Sequence, residues 1–361
     1  MINSDESWFG QFSKPLIIAG PCSAETEKQM LITAEGIAEI KVDFFRAGIW
    51  KPRTKPNSFE GVGAQGLKWL QRVKDDFGLK TATEVATAEH ARLALEHDVD
   101  LLWIGARTTV NPFQVQEIAE ALQDTDKIVM VKNPVNPDLD LWMGAFERMA
   151  GQGIKKLAAI HRGFSIYKKI RFRNEPQWQI PLDFKKEFPL IPLICDPSHI
   201  TGNRNWIDEV AQEAMNFGFD GLMVETHPNP NAAWSDAEQQ VTPEQLKNIL
   251  QNLILRDADD IDKEYQMLLS SLRHQIDEID RNMLEMLANR MKVAEEIGAL
   301  KKSHNVALFQ PDRWAIIKSL MLKNAYKYGL SQEFIERFLN AVHQESIQVQ
   351  NKIMEQNQNS L

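Results

Sequence analysis

Four side chains scattered along the chain, Cys22, His199, Glu225 and Asp236, supply one thiol, one imidazole and two carboxylates. Drawn together, such a mixed donor set suits a borderline divalent ion such as Mn, Fe, Co or Zn. Taken singly they read more plainly, Cys22 as a small buried apolar residue and His199 as a hydrogen-bonded structural histidine. A second set is cationic: Arg46, Lys51, Arg53, Arg107, Lys132 and Arg162. Converging on one place, six cations repel one another unless anions sit among them, and guanidinium forks match phosphate and carboxylate bidentately. Dispersed, they are solvated surface charges. None lies in a continuous basic run, so an anion held by them should be small.

The elements that must position these groups follow from periodicity. From Pro15 to Leu255, short β-rich apolar runs alternate with amphipathic stretches, as parallel strands joined by crossover helices do. Strands are expected at Leu16–Ala19, Val42–Ala47, Lys80–Val85, Leu101–Gly105, Ile128–Lys132, Leu157–Ile160, Ile191–Cys195 and Gly221–Val224. Eight repeats in about 240 residues match an α/β fold of the (β/α)8, or TIM, barrel type. A doubly wound sheet is the competitor. The polar groups decide, because Cys22, Arg46, Lys51, Glu84, Arg107, Lys132, Arg162, Asp196, His199, Glu225 and His227 sit at the strand ends or just after them. A sheet with one switch point would not load every strand end.

Beyond Leu255 an acidic stretch leads into sequence poor in Gly, Pro and β-branched runs. The expected division is a barrel over 1–255, a linker over 256–265 and an all-α domain over 266–361. Leu268, Leu272, Ile276, Ile279, Met283, Leu287, Ala294, Ile297 and Leu300 keep helical spacing, giving a rod of roughly 50 Å. Two shorter helices, near Asp312–Tyr328 and Gln332–Met354, are too little to enclose it, so a homodimer through this domain is expected. On the rod, Arg290 and Lys301 lie about 20° apart around the axis and roughly 16 Å apart along it, within reach of one small ligand. Arg273 lies roughly 25 Å from Arg290 and must serve another site, the partner chain's. Ser346 and Gln350 share a face by their i, i+4 spacing.

A chain of 361 residues with 43% apolar content can fill two cores. Its first residues carry Asp5 and Glu6 and no long apolar run, so a cytoplasmic protein without signal peptide or membrane helix is expected. The two cysteines, Cys22 and Cys195, exclude a disulfide framework. A net charge of −9 argues against nucleic acid or anionic membrane as the main partner.

The segments Ala19-Gly20-Pro21-Cys22-Ser23, Lys51-Pro52-Arg53-Thr54, Gly105-Ala106-Arg107-Thr108, Asp196-Pro197-Ser198-His199 and Val224-Glu225-Thr226-His227-Pro228 through Ser235-Asp236 resemble the signatures of 3-deoxy-D-arabino-heptulosonate-7-phosphate (DAHP) synthase, type I beta. The resemblance spans about Pro15 to Asn252. It implies that Cys22, His199, Glu225 and Asp236 ligate the metal, and that Arg107, Lys132 and Arg162 hold the phosphate of phosphoenolpyruvate. It implies further that Arg46 and Lys51 flank the carboxylate and that Arg53, Thr54 and Ser58 receive the phosphate of erythrose 4-phosphate. Asp196 joins the substrate-binding group, and Lys51 is expected to give a proton to the developing alkoxide. Lys55, Asn57 and Glu60 depart from the Ser, Tyr and Gln expected there, and Asn133-Pro134 replaces Arg-Gly after Lys132. The related 3-deoxy-octulosonate-8-phosphate synthases carry an Asn-rich segment where this chain has Lys51-Pro52-Arg53-Thr54.

The segment from about Glu264 to Met354 resembles AroQ-type chorismate mutase, an intertwined dimer of three-helix chains, through Leu272-Arg273, Arg290, Lys301, Arg313, Ser346 and Gln350. The resemblance implies that Arg273 of one chain and Arg290 of the other bind the two carboxylates of chorismate. Lys301 and Gln350 would then act at the ether oxygen, with Arg313 and Ser346 assisting. Two departures stand out: Trp314 follows Arg313 where a Glu is usual, and Gln310 replaces an acidic residue. Two readings stay open, a bifunctional enzyme or a synthase whose tail is a dimerising, metabolite-sensing module. In either, chorismate or prephenate in the tail is expected to inhibit the barrel.

Overall fold

The computed structural model describes residues 6–12, 14–52, 58–167, 171–256 and 263–355. The chain divides into two compact units, Met1–Ala258 and Asp259–Leu361.

In the first unit the elements alternate: β1 (Leu16–Gly20), α1 (Glu27–Ala38), β2 (Phe44–Arg46), α2 (Gln65–Phe77), β3 (Lys80–Val85), α3 (Ala88–Glu96) and β4 (Leu101–Ile104). A short α4 (Ala106–Thr109) precedes α5 (Pro112–Ala121), β5 (Ile128–Lys132), α6 (Leu139–Gly151), β6 (Leu157–His161), α7 (Gln179–Glu187) and β7 (Leu193–Cys195). A short α8 (Pro197–Thr201), α9 (Ile207–Asn216), β8 (Gly221–Glu225) and α10 (Pro243–Asn252) complete it. Every strand pairs in parallel with its neighbours, and β8 returns to β1, closing a barrel.

Strands covered on both faces read as continuous apolar runs, and here one set of alternate residues fills the barrel while the other lies under the helices. Ile18, Phe44, Leu101, Trp103, Met130 and Ile160 belong to the inner cluster; Ile17, Phe45, Leu102, Val129 and Val131 to the outer one. A 3-10 turn, Glu6–Gln11, adds Trp8 and Phe9 to the inner cluster, and Phe12 packs on Phe44 with ring centroids 5.3 Å apart. This aromatic plug closes the N-terminal mouth and leaves the C-terminal mouth for chemistry.

The second unit is α11 (Lys263–Ser303), α12 (Pro311–Lys327) and α13 (Gln332–Glu355). Helix α11 starts inside the stretch expected as linker, since no Gly or Pro interrupts Lys263 to Tyr265. Its buried apolar cluster among the described residues is small, Ala325, Ile335 and Leu339, with Trp314 and Leu322 packed against it. Along α11, Leu268, Leu272, Ile276, Ile279, Met283 and Leu284 are all exposed. No described helix in either unit is long and apolar enough to cross a membrane.

Candidate active sites

At the end of β1, Gly20 adopts φ 143°, and a Cβ there would lie 2.2 Å from the Arg46 carbonyl oxygen, so glycine alone permits this approach to β2. The turn delivers Cys22, wholly buried, whose N–H donates to Gln240 Oε1 at 3.0 Å and whose thiol lies 3.2 Å from Asp236 Oδ2. Glu225, the last residue of β8, has its N–H donating to Ser198 Oγ at 2.9 Å, and its Oε2 accepts from Gln239 Nε2 at 2.7 Å. Asp196 caps α8: its carboxylate accepts from the His199 N–H at 3.1 Å and lies 2.8 Å from His199 Nδ1. The cap turns His199 Nε2 toward Glu225 Oε1, 3.7 Å away. The four predicted donors therefore share one neighbourhood at the C-terminal mouth, with Cys22 feeling the charges of both Glu225 and Asp236.

Among the described residues, no three of these donors surround one point closely enough to hold an ion as they stand. Cationic side chains take the near positions: Lys51 Nζ is 3.0 Å from Cys22 Sγ, Arg173 Nη1 2.9 Å from Asp236 Oδ1, and Arg46 Nη2 3.3 Å from Glu225 Oε1. The donor set still fits a divalent ion chemically. Glu225 Oε1 is buried and takes no hydrogen bond. Burial, with Glu225 beside it, pushes the Cys22 thiol up to about 12, so ionising it calls for a strong positive charge. For Asp236, burial is outweighed by Lys51 and Arg173, which hold its carboxyl well below the usual range. The same holds for Glu225, where His199 and Arg46 outweigh burial.

The cations ring this neighbourhood. Arg46 is 1% exposed, with its Cζ 4.9 Å from the Trp103 ring; Nη2 donates to the Cys22 carbonyl at 3.2 Å, while Nε and Nη1 have no hydrogen-bond partner. Lys132 Nζ donates to Asp196 Oδ2 at 2.6 Å. Asp196 is wholly buried, and His199 and Lys132 outweigh that burial to keep it ionised. Arg162 Nη1 donates to Asn174 Oδ1 at 2.8 Å, and burial, with Arg173 and Arg107 nearby, lowers its pKa to about 10. Arg107 is exposed on α4, and Ser58 is exposed. Arg53 and Thr54 lie outside the described residues, as do Lys55 and Asn57.

Sequence reasoning missed the loop after β6. Arg173 Nη1 donates both to Asp236 Oδ1 and, at 2.7 Å, to Gln239 Oε1, so it reaches Glu225 through the Gln239 amide. Asn174 Nδ2 donates to the His199 carbonyl at 2.6 Å while its Oδ1 holds Arg162. Loop residues obey no periodicity, so the only available signal was their position after a strand end.

In the helical unit, Arg290 and Lys301 of α11, Arg313 of α12 and Ser346 and Gln350 of α13 line one cavity of about 330 Å³. Arg290 donates to Ser346 Oγ, and Lys301 Nζ to the Leu308 carbonyl. Gln350 is 6% exposed and its Oε1 has no partner. Arg273 is exposed on α11 and does not line this cavity. Trp314 and Gln310 do line it, as does His343, which sequence reasoning passed over although it precedes Ser346 by three residues and Gln350 by seven.

Comparison with known proteins gives two family matches: the DAHP synthetase I family over residues 2–259 and chorismate mutase type II over residues 272–351. The phospho-2-dehydro-3-deoxyheptonate aldolase of Thermotoga maritima is 32% identical over 237 residues, 66% of this chain and 68% of its own length. A 2-dehydro-3-deoxyphosphooctonate aldolase of Helicobacter pylori is 28% identical over 275 residues, 67% of this chain and 95% of its own. The crystal structure of the Thermotoga DAHP synthase superposes with a TM-score of 0.59 at 28% identity, covering 71% of this chain and 69% of that one. A truncated form of the Thermotoga enzyme gives 0.57 at 26% identity, covering 71% and 87%.

Proposed function

Since this chain belongs to the DAHP synthetase I family and continues into a chorismate mutase type II domain, we propose that it carries out two reactions on two separate sites. The barrel joins phosphoenolpyruvate to erythrose 4-phosphate, and the tail rearranges chorismate to prephenate. The observation that carries the first reaction is Arg46, a fully buried guanidinium with two unpaired donors beside Lys51 and the Lys132–Asp196 pair. An unpaired buried donor is costly, and a bound carboxylate relieves it.

In this reading Arg46 and Lys51 flank the carboxylate of phosphoenolpyruvate, Arg107, Lys132 and Arg162 hold its phosphate, and Arg53, Thr54 and Ser58 receive the sugar phosphate. Cys22, His199, Glu225 and Asp236 hold one divalent ion, Mn, Fe, Co or Zn, which when bound supplies Lewis-acid polarisation of the aldehyde oxygen. The ring of cations offsets the repulsion between two phosphorylated substrates and fixes their approach. The enol carbon attacks the aldehyde carbon, forming the C–C bond, and Lys51 Nζ gives a proton to the new alkoxide. Burial disfavours the charged Lys51, yet Cys22, Glu225 and Glu84 outweigh it and keep the ammonium protonated for that step. Water then adds at the former enol carbon and returns one proton to Lys51; the hemiketal's C–O bond to phosphate breaks, the hydroxyl proton leaving with the phosphate and the ketone remaining.

The tail needs no nucleophile. Arg290 takes one carboxylate of chorismate, Arg273 of a second chain the other, Lys301 and Gln350 act at the ether oxygen, and Arg313 and Ser346 assist. The exposed apolar face of α11 supports a homodimer, Leu268 and Ile276 being 61% and 56% exposed. A cytoplasmic address and inhibition of the barrel by prephenate in the tail belong to the same proposal.

One preparation assayed for both reactions with and without chelator tests it. Chelation should stop the condensation and spare the rearrangement; loss of both overturns the division. Erythrose 4-phosphate and arabinose 5-phosphate offered side by side separate this reading from the octulosonate one.

A further inference from the structure

We propose that His343, lying against Trp314, is the hydrogen-bond acceptor with which the tail cavity recognises the free hydroxyl on the ring of its dicarboxylate ligand. This rests on reading the cavity as a chorismate site.

Arg290, Lys301 and Arg313 line the cavity, and no Asp or Glu lines it among the described residues. Three positive charges and no carboxylate select a dianion of the size a 330 Å³ space can hold. Such a site still has to satisfy whatever neutral polar group the dianion carries. Chorismate has an ether oxygen and one free ring hydroxyl, and a buried hydroxyl without an acceptor for its proton is costly.

The acceptors available are few. Ser346 Oγ is occupied, receiving from Arg290 and donating to the Val342 carbonyl at 2.7 Å. Arg290, Lys301 and Arg313 carry no acceptor, and the Trp314 indole is a donor only. There remain His343, Gln310 and Gln350. Gln350 lies two turns beyond His343 on α13, next to Gly298 of α11; its assignment to the ether oxygen uses its amide N–H and leaves Oε1, which has no partner, as the rival acceptor that a preference surviving in His343→Phe would reveal.

The His343 ring packs on Trp314 with centroids 4.0 Å apart and planes 35° apart, and meets Phe309 edge-on at 6.0 Å. These two aromatic contacts fix the ring's plane, and neither uses a ring nitrogen. Burial, reinforced by the positive charges of Arg290 and Lys301, lowers the His343 pKa, so near pH 7 the ring is neutral and one nitrogen carries a lone pair. A carboxylate at this point would bind the same hydroxyl but would cancel part of the cationic field that holds the dianion. A neutral imidazole accepts the proton and leaves that field intact.

The test measures binding to the full chain by calorimetry. The probes are an oxabicyclic dicarboxylate that mimics the rearranging ring, with its hydroxyl, and the same compound lacking it. The native chain should prefer the hydroxylated probe by roughly tenfold, the range of one neutral hydrogen bond. His343→Phe keeps an aromatic ring against Trp314 and should bring the preference close to one while leaving affinity for the deoxy probe within about twofold of native. His343→Gln, which restores an acceptor, should recover part of the preference. Retained affinity for the deoxy probe reports that the cavity of each variant is folded. A preference that survives in His343→Phe overturns the assignment, and if it disappears instead in Gln310→Leu the acceptor is Gln310. Failure of both probes to bind the native chain overturns the chorismate reading and the His343 role together.

Discussion

In the barrel unit, charged groups sit at the ends of strands buried on both faces, and the pairs that hold them are themselves almost inaccessible: Arg46 with Glu225, and Lys132 with Asp196. In the helical unit the functional side chains ride on helices, Arg313 is exposed, and the apolar stripe of α11 faces outward. The contrast separates two ways of making an anion site. A barrel rim gathers its groups from one chain into a low-dielectric mouth, where each charge is costly to bury alone and each pair interacts strongly. A three-helix unit leaves the apolar stripe of its longest helix exposed, so in the proposed homodimer one binding group, Arg273, and the cover for that stripe come from a second copy.

The comparison breaks most sharply if the two sites fail to separate. Arg290→Ala should lower the rearrangement roughly 10²–10³-fold, the usual effect of deleting one preorganised charge, with the condensation unchanged. Lys51→Ala should give the reverse pattern. Progress curves for both reactions on each variant decide it, and a variant that loses both activities while still folded counts against independent sites.

Protonation should distinguish the sites next. With its thiol pushed up to about 12, Cys22 is neutral at pH 7, whereas Asp236 and Glu225 are held ionised and His199, its pKa lowered chiefly by burial, is already neutral. Binding an ion therefore releases the thiol proton. Its affinity should rise about tenfold per pH unit, or about a hundredfold between pH 7 and 9. Calorimetry in two buffers of different ionisation enthalpy should count one proton released per ion; a count of zero excludes Cys22 as a ligand. Binding to the tail cavity, whose lining holds no thiol, should show no comparable slope over this range.

How far the sequence disclosed this arrangement depends on the element. β3 and β5 run from the first to the last residue expected; in β5 burial on both faces makes the apolar run and the strand coincide, whereas β3 carries an exposed Lys80 and a half-buried Glu84 and is marked instead by its β-branched Thr81, Thr83 and Val85. β2 and β7 are shorter than expected at their starts. Asp43 turns its carboxylate to the Ile17 N–H at 2.8 Å, and the Ile191 N–H bonds back to the Phe188 carbonyl at 3.1 Å, so β-branched residues there belong to the turns. The aromatic plug at Trp8, Phe9 and Phe12 was invisible, since three rings in a short N-terminal stretch carry no period. Cys22, His199, Glu225 and Asp236 stood out by chemical type. Arg173 and Asn174 did not, because a loop side chain's direction is set by tertiary contacts alone.

Arg173 sharpens the comparison at a smaller scale. Its guanidinium holds Asp236 directly and Glu225 through Gln239, so it orients two carboxylates without being a ligand. Arg173→Ala should weaken Mn binding about tenfold, read by the electron paramagnetic signal of the free ion, with condensation recovered at saturating metal. Unchanged affinity would make the residue a surface ion pair. In the tail the corresponding support is Arg290 on Ser346, Ser346 on the Val342 carbonyl and Lys301 on the Leu308 carbonyl.

The smallest effect expected, and the most diagnostic of how the tail is held, is at Gly298. A Cβ there meets Gln350 Cα at 3.0 Å and its Cγ at 3.2 Å, so α11 and α13 touch where the Gln350 amide emerges. Gly298→Ala gains about 1 kcal/mol of helix propensity. It loses about as much in forcing the helices apart by a few tenths of an ångström. Stability should therefore hardly change. Gln350 would move with its backbone, and the rearrangement should slow several-fold with the condensation untouched. The equivalent change at Gly20 cannot be absorbed, since the clash there is 2.2 Å from a strand carbonyl in a backbone conformation open to glycine. A melting curve and two assays on Gly298→Ala suffice. Native rates in both would mean that α13 slides freely on α11 and that some contact other than this one, one that a second chain supplies, sets the position of Gln350.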